Sequence, residues 1–306
     1  MSKHRLPLAT GVATEPYWSI YSLAYRELSR FATVADSLDM RRACRTLVSA
    51  LTKSAVVYID HLHVDAIAAV TPGQTTYSHD WTEVNGLRPP FGNTFLAFGG
   101  EITDDCPWAE TAVYAALILD KCQHIFDISP TGSQVECIPF YKRGNDLIPI
   151  GAAYFGDAVR PTSVLLFPHN DDQREVSNAL GSGALRAMRS LLLLECANID
   201  LVDVAPAPPA HRAQGRPGYE IVIRQNPRRY ISDNEVTVDW SHRWEVRGHF
   251  KHHGPDTPVF RATERRNPSK IIDHPVRGRC VRFWCPPFVK GPENKPLIPK
   301  VRRVMA

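Results

Sequence analysis

The sequence predicts an α+β protein: N-terminal helices, a mainly antiparallel sheet, one further long helix, and then a small basic antiparallel β unit. Three observations carry this. Apolar residues recur at helical spacing near both ends of the first 200 positions, the runs between them are short and β-rich, and the charge balance changes sign near residue 210.

Tyr17, Tyr21, Ala24, Leu28 and Phe31 are spaced by four, three, four and three, which places them on one face of a helix. Leu38, Cys44, Leu47, Val48 and Leu51 continue the stripe after a break around Thr33 to Asp36, so two packed helices are expected. The runs AVVYIDHLHV, NTFLAFGGEI, AAVYAALIL, QHIFDI, SQVECIPFY and DLIPIGAAYFG follow, separated by PG, NG, PTG and RGND turn signals. They read as strands. Helical spacing returns at Val176, Leu180, Ala184, Met188 and Leu192, with Asn170 or Asp171 as the N-cap and with Gly181 and Gly183 weakening its middle, where it could divide.

The proline-rich VDVAPAPPAHRAQGRPG is too stiff and donor-poor for a helix or a central strand, so it marks a boundary. The expected organisation is an acidic α+β domain over 1–204, a linker over 205–218 and a basic β-rich unit over 219–306. Residues 1–210 hold 16 Lys and Arg against 23 Asp and Glu; residues 211–306 hold 20 against 9. Arginine outnumbers lysine 27 to 9 in a chain also rich in alanine and proline, so that excess is partly compositional.

No apolar run reaches the roughly 20 residues of a membrane helix, and MSKHRLPLATGVATEPYW has no secretory h-region. The expectation is a cytoplasmic protein with no membrane partner. Seven scattered cysteines, mostly inside apolar segments, read as buried thiols of a reducing compartment.

Three places in the first part carry residue types that do chemistry. The run from Asp60 to Asp65 resembles the HxH and HxHxD pieces of metal-dependent hydrolases, and His61, His63 and Asp65 would share a metal if the segment were a strand, but the further histidine of HxHxDH motifs and regular βα alternation are absent. Glu101, Asp104 and Asp105 resemble a paired-carboxylate site and are better read as a turn. His169 to Asp172 reads as a helix start.

The segment RWEVRGHFKHHG is the most informative. From Arg243 to Lys251 it alternates: Arg243, Glu245, Arg247, His249 and Lys251 on one face, Trp244, Val246, Gly248 and Phe250 on the other. That is a half-buried strand with a cationic face. Further strands are expected over Tyr219 to Arg224, Glu235 to Trp240 and Cys280 to Cys285, the last stopped by Pro286 and Pro287. Zinc is not expected, because strand alternation sends His249 and His252 to opposite faces and does the same to Cys280 and Cys285. Gly254 to Gly278 reads as a long loop carrying Arg261, Arg265, Arg266 and Lys270.

Cations on this scale could neutralise phosphates, with Trp244, Tyr230, Phe283 or Trp284 stacking on unpaired bases. They could instead pair with the acidic first part or a protein partner. A third reading is a metal-independent nuclease, with His249 as acid or base beside Arg247 and Lys251. WEVRGHF followed by RFWCPPFVKGPENKPL resembles the C-terminal end of a set of uncharacterised proteins of actinobacteria and their phages, over about the last 70 residues. That resemblance implies an accessory, mobile-element origin and no particular activity.

The favoured expectation is a non-catalytic interaction protein, with nucleic acid as first partner and protein partners or self-association next. The nucleic-acid residues would be Arg243, Arg247, His249, Lys251, Arg265, Arg266, Arg279, Arg282 and Trp284. No metal or cofactor is expected. A nuclease centred on His249 and a structural role in a phage assembly are the alternatives.

Overall fold

A run such as VYAALIL has no polar side to turn to water, so a strand built from it needs protein on both faces. In the computed structural model it has that. The structure describes residues 17–35, 37–59, 84, 86–98, 113–121, 133–143, 146–149, 151–156, 162–165, 173–203, 218–223, 242–246, 248–274, 277–286 and 288–297.

Helices α1 (Tyr17–Val34) and α2 (Leu38–Leu51) precede strands β1 (Ala55–Ile59), β2 (Thr94–Phe98), β3 (Val113–Leu119), β4 (Ser133–Arg143), β5 (Asp146–Pro149), β6 (Gly151–Gly156) and β7 (Thr162–Leu165). Then come α3 (Gln173–Leu194), β8 (Ile199–Asp203) and β9 (Gly218–Ile223). The C-terminal part contains β10 (Trp244–Val246), β11 (His249–His253), α4 (Pro258–Arg266), a 3-10 turn at Pro268–Lys270, β12 (Ile271–His274), β13 (Gly278–Cys285) and β14 (Phe288–Lys290).

The protein is of the α+β class. Strands β1 to β9 form one sheet in the order β7, β6, β4, β3, β2, β1, β9, β8, with β5 also paired to β4. Alternation sends Phe95, Ala97, Leu117 and Phe140 to one face, under α1 and α2. Leu96, Phe98, Ile118 and Cys137 go to the other, under α3. Both faces are covered, which is why these strands lack polar alternation.

The two N-terminal helices lie where the spacing predicts. Ser37 caps α2, its hydroxyl accepting from the Met40 N–H at 3.4 Å. The Tyr21 hydroxyl donates to the Leu51 carbonyl at 3.1 Å, and the Tyr21 ring meets Phe95 edge-on. Cys44, Cys137, Cys196 and Cys280 are buried thiols and Cys285 is half-buried.

The large sheet is mainly antiparallel, as expected, and mixed in that β1 runs parallel to both β2 and β9. Two expectations are corrected. Strand β9, expected to open the C-terminal unit, belongs to this sheet. Val56, Val57 and Ile59 of β1 are fully buried, and a strand so buried needs a ladder on both edges; β9 supplies the second. Helix α3 runs unbroken through Gly181 and Gly183. At Gly183 the helix lies so close to the sheet that a Cβ would stand 2.7 Å from Val113 Cγ2 and would meet the Tyr141 hydroxyl. The glycine there serves close packing and does not end the helix. Finally, the long loop over 254–278 contains α4 and β12. Its missed signal is Thr257-Pro258: the Thr257 hydroxyl accepts from the Phe260 N–H at 3.2 Å, and proline at the first helical position needs no partner for a missing N–H.

Candidate nucleic-acid interface

The segment from Arg243 to Lys251 is not one ladder but two in a single register. Strand β10 pairs with β14 so that Val246 faces Phe288, and β11 pairs with β13 so that His249 faces Cys285. The two residue numbers add to the same total in every one of these pairs, so the two ladders keep one antiparallel register on either side of a gap. There Gly248 stands opposite Pro286, which has no N–H to donate. The proline that follows β13 therefore leaves its partner without a donor at that position. Gly291, next in the same register, lies against Arg243: its φ is 113°, and a Cβ there would stand 2.8 Å from the His242 carbonyl oxygen and 3.0 Å from Arg243 Cα.

Strands β11, β13 and β12 form a three-stranded antiparallel sheet with β13 in the centre. Its register defines two faces. On one, Lys251 lies opposite Phe283, His253 opposite Val281 and Arg279 opposite Asp273. Helix α4 covers the apolar middle of this face, with Phe260 buried against Val281 and Phe283. Around it the cations stay in solvent. His249 and Lys251 are exposed on the edge strand β11, and Arg261, Arg265 and Arg266 are exposed on α4. Arg279 is exposed beside them, 3.2 Å from the Glu264 carboxylate and over the Phe260 ring. An exposed ion pair of this kind contributes little stability.

The opposite face packs onto the first part of the chain. Trp284 is fully buried in the α3 core, with Phe250 against it. Arg282 is buried, donating to Glu195 Oε2 at 3.2 Å and to His252 Nε2 at 3.4 Å, with its guanidinium over the Phe250 ring. The Ala197 N–H donates to the Arg282 carbonyl, and Lys270 Nζ donates to the Leu194 carbonyl at the C-terminal end of α3. Burial pushes the Glu195 carboxyl above its ordinary range, against the pull of Arg282 and Lys270. The ion pair thus falls short of offsetting desolvation, as buried pairs often do.

These positions sort the expected site residues. His249, Lys251, Arg265, Arg266 and Arg279 lie around the α4 face. Arg282 and Trp284 do not: they face the core, so Trp284 offers no ring for a base to stack on and Arg282 is occupied by Glu195. Phe283 is buried under α4 as well. Arg243 is half-buried on the β10 ribbon, where its backbone N–H donates to the Pro296 carbonyl. Alternation alone could not distinguish a cation facing water from one facing a carboxylate in the core. Sequence reasoning also passed over His274, whose ring meets that of His252 with centroids 4.9 Å apart. Strand β12, which carries it, was hidden inside the expected loop.

Arg247, Tyr230, the segment 60–65, the acids 101–105, the segment 169–172 and the strand expected over 235–240 lie outside the described residues. Among the described residues no group of three His, Cys, Asp or Glu is placed to hold a metal ion. No described helix is long and apolar enough to cross a membrane. Compared with protein-family models, curated proteins and solved structures, the chain matches none.

Proposed function

We propose that the C-terminal part is a non-catalytic nucleic-acid-binding unit that contacts phosphates through the α4 face of the small sheet. One observation carries this reading: Lys251 on β11, Arg261, Arg265 and Arg266 on α4, and Arg279 on β13 are all exposed on one side of the sheet, while the side packed on the core keeps its carboxylate, Glu195. Among the described residues no carboxylate of the first part pairs with these cations, and Arg279 pairs within the unit, with Glu264 of α4. Burial of Trp284 and Phe283 takes two of the four expected stacking rings away from this face, so phosphate contact dominates and binding is weakly dependent on sequence. The resemblance of the last 70 residues to actinobacterial and phage proteins supports an accessory, mobile-element role.

The test is binding of a labelled duplex oligonucleotide between about 50 and 200 mM salt. Affinity should fall steeply, and the Lys251→Gln, Arg265→Gln, Arg266→Gln triple variant should have a salt slope shallower by roughly 2 to 3, near one unit per lost phosphate contact. Salt-independent affinity, or an unchanged slope in the triple variant, would remove the proposal.

A further inference from the structure

We infer, resting on the phosphate-binding reading of the α4 face, that its partner is B-form duplex DNA and that the outward stripe of α4 enters the major groove. One short helix is divided into two unlike sides. Phe260 is buried against Val281 and Phe283, Val259 packs beside it, and the Thr263 hydroxyl donates back to the Val259 carbonyl at 3.0 Å. On the other side Pro258, Arg261, Ala262 and Arg265 recur at i, i+3, i+4 and i+7, and all four are exposed. Arg266 is exposed on one flank of this stripe and Glu264 on the other.

Charge separates the stripe from its surroundings. It carries two arginines and no acid. The described carboxylates nearby lie off it: Glu264 is held by Arg279 at 3.2 Å, Asp273 faces Arg279 across β12 and β13, and Asp256 precedes the Thr257 cap. Pro258 and Ala262 have no long side chain, so the helix backbone can come close to a polyanion that the arginines reach.

Shape then chooses among polyanions. One side of α4 packs on β12 and β13, and the other stands as a ridge of nine residues, about 14 Å long. The major groove of B-form DNA is about 12 Å wide and admits an α-helix. That of A-form RNA is too deep and narrow for side chains to read. A single strand needs rings to stack on, and Phe260 and Phe283 of this face are buried beneath the helix. In the groove Arg261 and Arg265, one turn and about 6 Å apart, face the base edges, where guanine N7 and O6 accept. Lys251, Arg266 and Arg279, exposed to the sides, meet backbone phosphates. The phosphates supply most of the affinity, so the preference among sequences stays small.

The full chain should be titrated at one salt concentration with three duplexes of the same mixed sequence: plain DNA, DNA carrying glucosylated 5-hydroxymethylcytosine, and RNA. Glucosylation fills the major groove and leaves the phosphates in place. Plain DNA should bind about tenfold tighter than either of the others. The Arg261→Gln, Arg265→Gln variant, altered only at exposed positions, should bring that ratio towards one while keeping salt-dependent binding. Equal affinity for plain and glucosylated DNA, RNA bound as tightly as DNA, or an unchanged ratio in the double variant overturns groove entry. If affinity still falls steeply with salt in those cases, the phosphate-binding reading stands without it. Salt-independent affinity for all three duplexes, or no binding to any, removes both.

Discussion

Asn198 and Trp284 are joined edge to edge: the Asn198 Nδ2–H donates to the Trp284 carbonyl at 2.9 Å, and the Trp284 N–H donates to Asn198 Oδ1 at 3.0 Å. One side-chain amide thereby does for β13 what a neighbouring strand would do. Strand β12 pairs with β13 only as far as Val281 opposite Ile271. Beyond it, the Ala197 N–H and then the Asn198 side chain take over the edge. Asn198→Ala leaves the Trp284 N–H and C=O buried without these partners. It should destabilise the protein by about 2 to 4 kcal/mol in denaturant unfolding, the sum of two orphaned groups. Asn198→Asp keeps one of the two bonds and should fall between the wild type and the alanine variant.

The same junction makes stability depend on pH. His252 has a folded value of about 4, below its ordinary 6.5, so between these limits the unfolded chain binds more protons than the folded one. Its contribution is fully present above about pH 6.5 and is lost as pH falls towards 4. Glu195, pushed upward by burial, works in the opposite sense: its contribution is lost as pH rises through its raised value. His252→Gln should therefore flatten the decline in melting temperature between pH 6.5 and 4 relative to wild type. Because the His252 ring is half-exposed, the difference is modest and screened by salt. Parallel declines in the two proteins would deny His252 this role.

Gly183→Ala tests the seat of α3. In an open helix this change gains up to about 1 kcal/mol from propensity. Here the added methyl meets Val113 and the fully buried Tyr141, so the expected result is a loss of about 1 to 3 kcal/mol. Gly181, with nothing within 4 Å of its Cβ position, provides the control, and Gly181→Ala should be stabilising.

Thr257→Ala should cost about 1 kcal/mol through loss of the α4 cap. Its sharper readout is local. Amide exchange over 258–266 should rise more than exchange in β3 or β4, since α4 rests on the small cluster of Phe260, Val281 and Phe283 and not on the main core.

Gly291→Ala places a methyl against the backbone of His242 and Arg243 at a φ of 113°, which L-residues seldom adopt. It should loosen the β10 and β14 ribbon by about 1 to 3 kcal/mol. Protease cleavage near residues 242–246 reports it, and unchanged resistance would show that the ribbon absorbs the strain.

Much of this was legible in local pattern. The spacing of Tyr21, Ala24 and Leu28, and of Cys44, Leu47 and Leu51, is enough to specify two helices and their buried faces, because a 3.6-residue period brings those side chains together whatever they later pack on. The strand character of Trp244–Val246 and of His249–His253 and the concentration of cations after residue 210 were likewise written in the chain. The helix at 258–266 was legible too, through Thr257 and Pro258.

Other features depended on neighbours that no local window contains. Alternation divides β13 into a face with Cys280, Arg282 and Trp284 and a face with Arg279, Val281 and Phe283, yet each face mixes cations with aromatic or apolar groups. Only the arrival of Glu195 and Asn198 from the end of α3 decided that the first faces the core, and that Arg282 and Trp284 are structural residues. Only the unfilled edge of β1 decided that β9 crosses the proline-rich boundary to complete the large sheet. Side-chain periodicity is a property of one segment. Which face is buried, and which edge is paired, is set by the free energy of removing apolar surface and backbone polar groups from water against a partner, and that partner is supplied by the tertiary structure.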